Sequence, residues 1–305
     1  MRRIRYTSRG GPLFLEQVPA PEPGPGELLV RTEAVGVTLP VVRKVTESPD
    51  PVPLGGEIAG EVVATGDGVR EFRPGDRVTG LCFGHGYADL APLHESMASP
   101  IPAGASAVDA VALVRSGLVA LGALAAARPA RGEAVLVTAA ASGVGHLAVQ
   151  LARARGAGRV VGAVSDPAKA DFVRGLGADH VVTYGEANWG APVDYALDGV
   201  GGDLLTPALA ALTPGGRLVA YSSGGGTIQA YDLLAGAKTV TGFQMARLAR
   251  ERPELYESRR RELWQLFADG ALRPVVHGPF ALQDAEKAHE AVASRSNLGK
   301  VVLLP

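Results

Sequence analysis

The chain has 305 residues, 47% hydrophobic and 20% charged, long enough for two ordinary domains and apolar enough to give each a core. A formal net charge of −1, with lysine and arginine scattered along the sequence, argues against nucleic acid and against a cationic membrane-surface helix, leaving small-molecule partners. No apolar run is expected to reach the ~18 residues of a membrane span. "MRRIRYTSRGG" leads into a proline-rich segment and not a signal h-region, so the expected location is cytoplasmic.

Cys82 is the only cysteine, which rules out an internal disulfide and a thiolate zinc cage and reads as a buried spare thiol.

The first third consists of short apolar or alternating runs bounded by turn residues: "ELLVRTEAVGV", "GEIAGEVVATGDGV", "RPGDRVTGLCF" and "GYADLAPL". They predict a β-rich, barrel-like region, in which "PAPEPGPGE" is too proline-dense for a strand ladder. From Ala107 an alanine and leucine helix begins, and alternating units follow. "AVLVTA", "RVVGAV", "HVVTY", "VDYALDG" and "GGRLVAY" read as strands, with helices at "GVGHLAVQLARARG", "DPAKADFVRGLG" and "GDLLTPALAAL". Strands alternating with helices imply right-handed crossovers and a doubly wound parallel sheet, so the fold class is α/β. "ELYESRRRELWQLFADGAL" breaks the rhythm as an amphipathic helix with Leu263, Leu266 and Phe267 on one face, and "GKVVLLP" predicts a closing strand that returns to the first domain.

"TAAASGVGHLAVQ" follows a strand and opens a helix, where a G-x-G-x-x-G turn would bind a diphosphate. Aligned on Gly145, the two earlier glycines are replaced by Ala140 and Ser142, while Gly143 keeps a flexible residue at the helix start. The helix N-terminus still offers unpaired N–H groups to a phosphate. Ser142 either adds a hydrogen bond there or only narrows the turn.

NAD-preferring turns carry an acidic residue roughly 20 positions downstream on the ribose hydroxyls. That count arrives at Ser165 in "VGAVSDPAKA". A neutral serine removes the repulsion toward a 2′-phosphate, and Lys169 could pair with it, which favours NADPH. The alternative is that Ser165 or Asp166 only caps a helix and Lys169 is a solvated helix residue; a one-residue shift would put Asp166 at the ribose.

"GEAVLVTAAASGVGHLAVQLAR", with "PLGGEIAGEVVATGDGVREFRPGDRV", "GLGADHVVTY", "DGVGG", "LTPGGRLVAYSS", "TVTGF" and "GKVVLLP", closely resembles the zinc-independent, zeta-crystallin-like quinone oxidoreductases of the medium-chain dehydrogenase/reductase superfamily. The resemblance covers essentially the whole chain. It implies a GroES-like β-rich catalytic domain from 1–112 and 246–305, a Rossmann NADPH-binding domain at 113–245 and a cleft between them. It also implies a homodimer formed through the Rossmann edge strands at "TVTGF". Carried over by residue, the diphosphate turn falls on Ser142, Gly143 and Val144, and the 2′-phosphate contacts on Ser165, Lys169 and Tyr184. The nicotinamide-side loops fall on Ser222 and on Phe243, Gln244 and Met245, and an adenine-end arginine on Arg295.

Zinc-dependent relatives hold the metal with a cysteine where this chain has Thr38 and a histidine where it has Gly56, so no metal is expected. Without zinc as Lewis acid, hydride from NADPH would go to an acceptor needing little polarisation, a quinone or the activated double bond of an enone or enoyl compound. The family's polar pair in the substrate cleft is halved here to Thr38, the single catalytic candidate, with Val41 in place of an aspartate. That loss keeps open a second reading, a non-catalytic nucleotide-binding protein of the same fold.

Overall fold

The structure, a computed structural model, describes residues 1–82, 84–221 and 224–305. Contacts gather the chain into two compact units, Met1–Arg115 with Val275–Pro305 and Ser116–Pro274.

The first unit begins with a hairpin of β1 (Arg2–Arg5) and β2 (Phe14–Gln17) and continues through β3 (Glu27–Val37), helix α1 (Leu39–Glu47), β4 (Glu57–Thr65), β5 (Arg77–Leu81), β6 (Leu90–His94) and β7 (Ala98–Pro100). Helix α2 (Ala107–Ala127) follows and contains the boundary between the units. β3 starts at Glu27, directly after the proline-dense stretch whose missing N–H donors could not have joined a ladder.

The second unit holds β8 (Ala134–Val137), α3 (Gly145–Ala154), β9 (Arg159–Val164), α4 (Ala170–Gly175), β10 (His180–Thr183), β11 (Val193–Asp198), α5 (Leu205–Ala210), β12 (Leu212–Ala220), α6 (Ala230–Gly236), β13 (Thr239–Gly242), α7 (Met245–Glu251) and α8 (Pro253–Ala268). The chain closes in the first unit with β14 (Val276–Ala281), α9 (Ala285–Ala293) and β15 (Lys300–Leu304).

The first unit is built on a seven-stranded, mainly antiparallel sheet in the order β14-β15-β3-β4-β5-β7, with β6 also on β3. Its core packs Val30, Val35, Ile58, Val62 and Val78 of the sheet with Val41, Val42 and Val45 of α1 and Ala285 and Ala288 of α9. The second unit is a six-stranded parallel sheet in the order β10-β9-β8-β11-β12-β13. Its strands are nearly continuous apolar runs because helices cover a parallel sheet on both faces. The order reverses between β8 and β11, so their C-terminal ends diverge into the crevice where doubly wound sheets bind ligands.

Two expectations change. Helix α2 is long and apolar enough by length and composition to cross a membrane, whereas no such run was expected; most of its apolar stretch is buried inside the protein. Residues 246–274, expected with the first domain, pack in the second unit. Leu263 of α8 lies against Gly117 of α2, Glu262 pairs with Arg155 at the end of α3, and Gln150 of α3 donates to the Arg273 carbonyl at 3.0 Å. An amphipathic stripe states that a helix has a buried face but not which core receives it.

Candidate active site

At the exit of β8 the Thr138 hydroxyl donates to Asp198 Oδ1 at 2.8 Å and accepts the Gly199 N–H at 2.9 Å. Asp198, the fully buried last residue of β11, also accepts the Val200 N–H at 3.2 Å and the Gly201 N–H at 2.9 Å. These donors satisfy a carboxylate that would otherwise be costly to bury, and they fasten the turns after β8 and β11 to one another. Asp198 opens the family-like "DGVGG", but the motif assigns it no role in the site, and within "VDYALDG" it reads only as the end of a strand.

The turn after β8 passes through Ala139 at φ 50° and the buried Ala140, whose N–H donates to the Ala163 carbonyl at 3.1 Å. A Cβ at Gly145 would stand 2.0 Å from the Ala139 carbonyl oxygen, so only glycine lets α3 begin this close to the strand. Ser142 Oγ accepts the Gly145 N–H at 3.0 Å. The serine in place of a glycine therefore makes a bond inside the turn, and its own O–H remains a donor. Gly143 and Val144 complete the turn, and Val144 leads into α3 with no side-chain cap.

Ser165, Lys169 and Tyr184 come together beside this turn. The Tyr184 N–H donates to the Val164 carbonyl at 3.0 Å, and its phenol oxygen accepts the Ala139 N–H at 3.0 Å. Lys169 Nζ donates to Ser165 Oγ at 3.2 Å. The Asp166 carboxylate accepts the Ala168 N–H at 2.8 Å and so caps the 3₁₀ turn at Pro167–Lys169 that precedes α4. Of the two residues weighed as caps, Asp166 is the one whose side chain caps, and the Lys169 N–H donates to the Asp166 carbonyl at 3.1 Å.

After β12, the Tyr221 N–H donates to the Asp198 carbonyl at 3.0 Å. The Tyr221 hydroxyl lies 2.5 Å from where a Gly199 Cβ would stand, so it rests on the bare glycine backbone. It is buried and has no hydrogen-bond partner among the described residues; burial, with Asp198 and Tyr184 near, pushes the phenol above its ordinary range. Ser222 lies outside the described residues. The Phe243 N–H donates to the Ala220 carbonyl at 2.9 Å, and its ring fills the space above Gly122 of α2. Gln244 flanks the start of α7, and Met245 is buried.

In the first unit Thr38 follows β3 and flanks α1, half-buried, with no side-chain bond to that helix. Val41 is buried in the core, with a methyl carbon 3.8 Å from where a Gly56 Cβ would stand. Among the described residues no group of three or more His, Cys, Asp or Glu side chains is placed to hold a metal ion. Cys82 is buried and its thiol pushed up to about 12 by desolvation, as an inert packing residue would be. Nearby, Glu57 joins Lys300 and, at 3.0 Å, Arg115 in a buried ion group that ties β15 to β4. Arg295 is exposed and follows α9 at φ 58°.

Over its full length the chain is 33% identical to a quinone oxidoreductase of Pseudomonas aeruginosa, covering 99% of that protein. The chain belongs to the quinone oxidoreductase family. This is the zeta-crystallin-like branch of the medium-chain dehydrogenase/reductase superfamily, a family of enzymes, as the sequence motifs implied. Residues 24–112 match the alcohol dehydrogenase GroES-like domain and residues 143–265 the zinc-binding dehydrogenase family. A 2-haloacrylate reductase of Burkholderia sp. is 29% identical over 97% of both chains. The structure of an Escherichia coli quinone oxidoreductase complexed with NADPH superposes with a TM-score of 0.92 at 28% identity, covering all of both chains. As a quinone oxidoreductase family member, the chain has the expected parallel Rossmann-like sheet and a GroES-like domain.

Proposed function

We propose that this protein is an NADPH-dependent oxidoreductase that works without zinc and transfers hydride to a quinone or to the activated double bond of an enone or enoyl compound. The observation that carries the cofactor half is the gathering of Ser165, Lys169 and Tyr184 beside the turn after β8. A cation next to a neutral hydroxyl, with Asp166 occupied in its own cap, suits a 2′-phosphate better than two ribose hydroxyls. Ser142, Gly143 and Val144 at the start of α3 would hold the diphosphate, and Phe243 to Met245 would flank the nicotinamide. NADPH supplies the hydride. Quinone oxidoreductases and a 2-haloacrylate reductase among the relatives support both acceptor classes.

Independence from zinc rests on the donor chemistry: Thr38 and Gly56 offer one hydroxyl and no side chain where the metal-dependent relatives have a cysteine and a histidine. A small acceptor needing little polarisation remains, and Thr38 is the hydroxyl proposed to contact it.

We also infer a homodimer. β13 pairs on one side only, with β12, and Tyr231 and Leu234 of the neighbouring α6 are 73% and 76% exposed, an apolar surface beside an open sheet edge.

The decisive experiment titrates the pure protein with NADPH and NADH and then follows NADPH oxidation with quinone and enone panels. Lys169→Ala is expected to weaken NADPH about tenfold or more while leaving NADH nearly unchanged. Equal wild-type affinity for both nucleotides would remove the role given to Ser165 and Lys169. Tight NADPH binding with no turnover on either panel would favour the nucleotide-binding reading.

A further inference from the structure

We propose that Tyr221 is a cofactor-positioning residue whose hydroxyl donates to an oxygen of the nicotinamide-side ribose or its phosphate. This rests on the NADPH reading above and adds to it a residue to which the family resemblance assigns no role.

A buried hydroxyl without a partner is a standing cost, and native proteins leave few of them. Tyr221 has such a hydroxyl among the described residues, at the mouth of the parallel sheet. Among the described residues, the two polar side chains named beside it have other partners. Asp198 spends its carboxylate on Thr138, Val200 and Gly201. Tyr184 spends its phenol oxygen on Ala139. Gly199, against which the hydroxyl rests, presents no side chain.

Position in the sheet selects the half of the ligand. In the order β10-β9-β8-β11-β12-β13, Ser165 and Lys169 follow β9 on one side of the switch point, and Tyr221 follows β12 on the other. A doubly wound sheet binds one mononucleotide on each side, so Tyr221 lies with the half opposite the 2′-phosphate. Glycines make up much of the described part of the turns after β11 and β12. Gly201 and Gly202 have φ 73° and 59°, Gly225 and Gly226 have φ 67° and 108°, and the Gly202 N–H donates to the Gly225 carbonyl at 2.9 Å. Backbone without side chains lets a ribose–phosphate approach closely, and an acceptor oxygen arriving there supplies what the phenol lacks.

The contact would involve a part common to both nucleotides, which separates it from Lys169. Tyr221→Phe is expected to weaken NADPH and NADH by the same factor, about tenfold, in equilibrium titrations. The melting temperature of the cofactor-free protein should stay level or rise, because the substitution removes an unpaired polar group. If wild-type protein binds neither nucleotide, the functional reading fails and this inference with it. If wild-type binds NADPH and Tyr221→Phe binds it equally well, only the inference is overturned. A loss confined to NADPH would also overturn it, by moving the contact to the 2′-phosphate.

Discussion

Single residues carry two questions that composition could not reach. Ser142 accepts the Gly145 N–H, filling the role a helix cap fills elsewhere. Ser142→Ala should cost about 1 kcal/mol in urea unfolding, whereas Ser142→Gly should recover part of that loss, since glycine is tolerated at such positions. His289 lies on α9, buried, with Nε2 3.0 Å from the Tyr87 hydroxyl, and desolvation lowers its pKa to about 4. The folded ring therefore binds fewer protons than the unfolded one between about pH 4 and 6.5. Stability from this group is complete above pH 6.5 and is lost as pH falls through that window, at up to about 1.4 kcal/mol per pH unit. Thermal melts across that range should show the decline, and His289→Gln should flatten it.

Elements show where sequence reasoning succeeds and where it stops. β3, β9 and β11 were legible because long apolar or alternating runs between turn residues have little choice of structure. Helix α1 was not: its Leu-Pro-Val-Val start is as apolar and β-branched as a strand, and only the proline in the first turn marks a helix. Of the proposed nucleotide contacts, Ser165, Lys169 and Tyr184 are reachable by counting and family likeness, whereas the contacts of Asp198 and Tyr221 join strands far apart in sequence. Gly145 is the element-scale test. A methyl there meets a backbone oxygen that cannot swing aside, so Gly145→Ala should cost about 3 kcal/mol or more, read from the urea midpoint.

For the whole molecule, the chain's two ends share one sheet, since β15 pairs with both β3 and β14. Lys300 secures that return through its buried contact with Glu57, and burial lowers its pKa. Lys300→Ala would strand the Glu57 carboxylate with Arg115 alone and should cost about 3 to 5 kcal/mol; changing Glu57 and Lys300 together to apolar residues should cost less. The proposed dimer predicts that a charged residue at Val240, in the open edge strand, converts the sedimenting species to a monomer.

The buried carboxylate of Asp198 has a kinetic consequence. Because it holds the amides of Val200 and Gly201 while Thr138 holds that of Gly199, those three protons should exchange with deuterium slowly in cofactor-free protein, although they sit in a glycine-rich turn. A turn already held in place has little ordering entropy left to lose when nucleotide arrives. Capture should therefore be a single concentration-dependent step in stopped-flow fluorescence, with no slower unimolecular phase for assembly of the crevice.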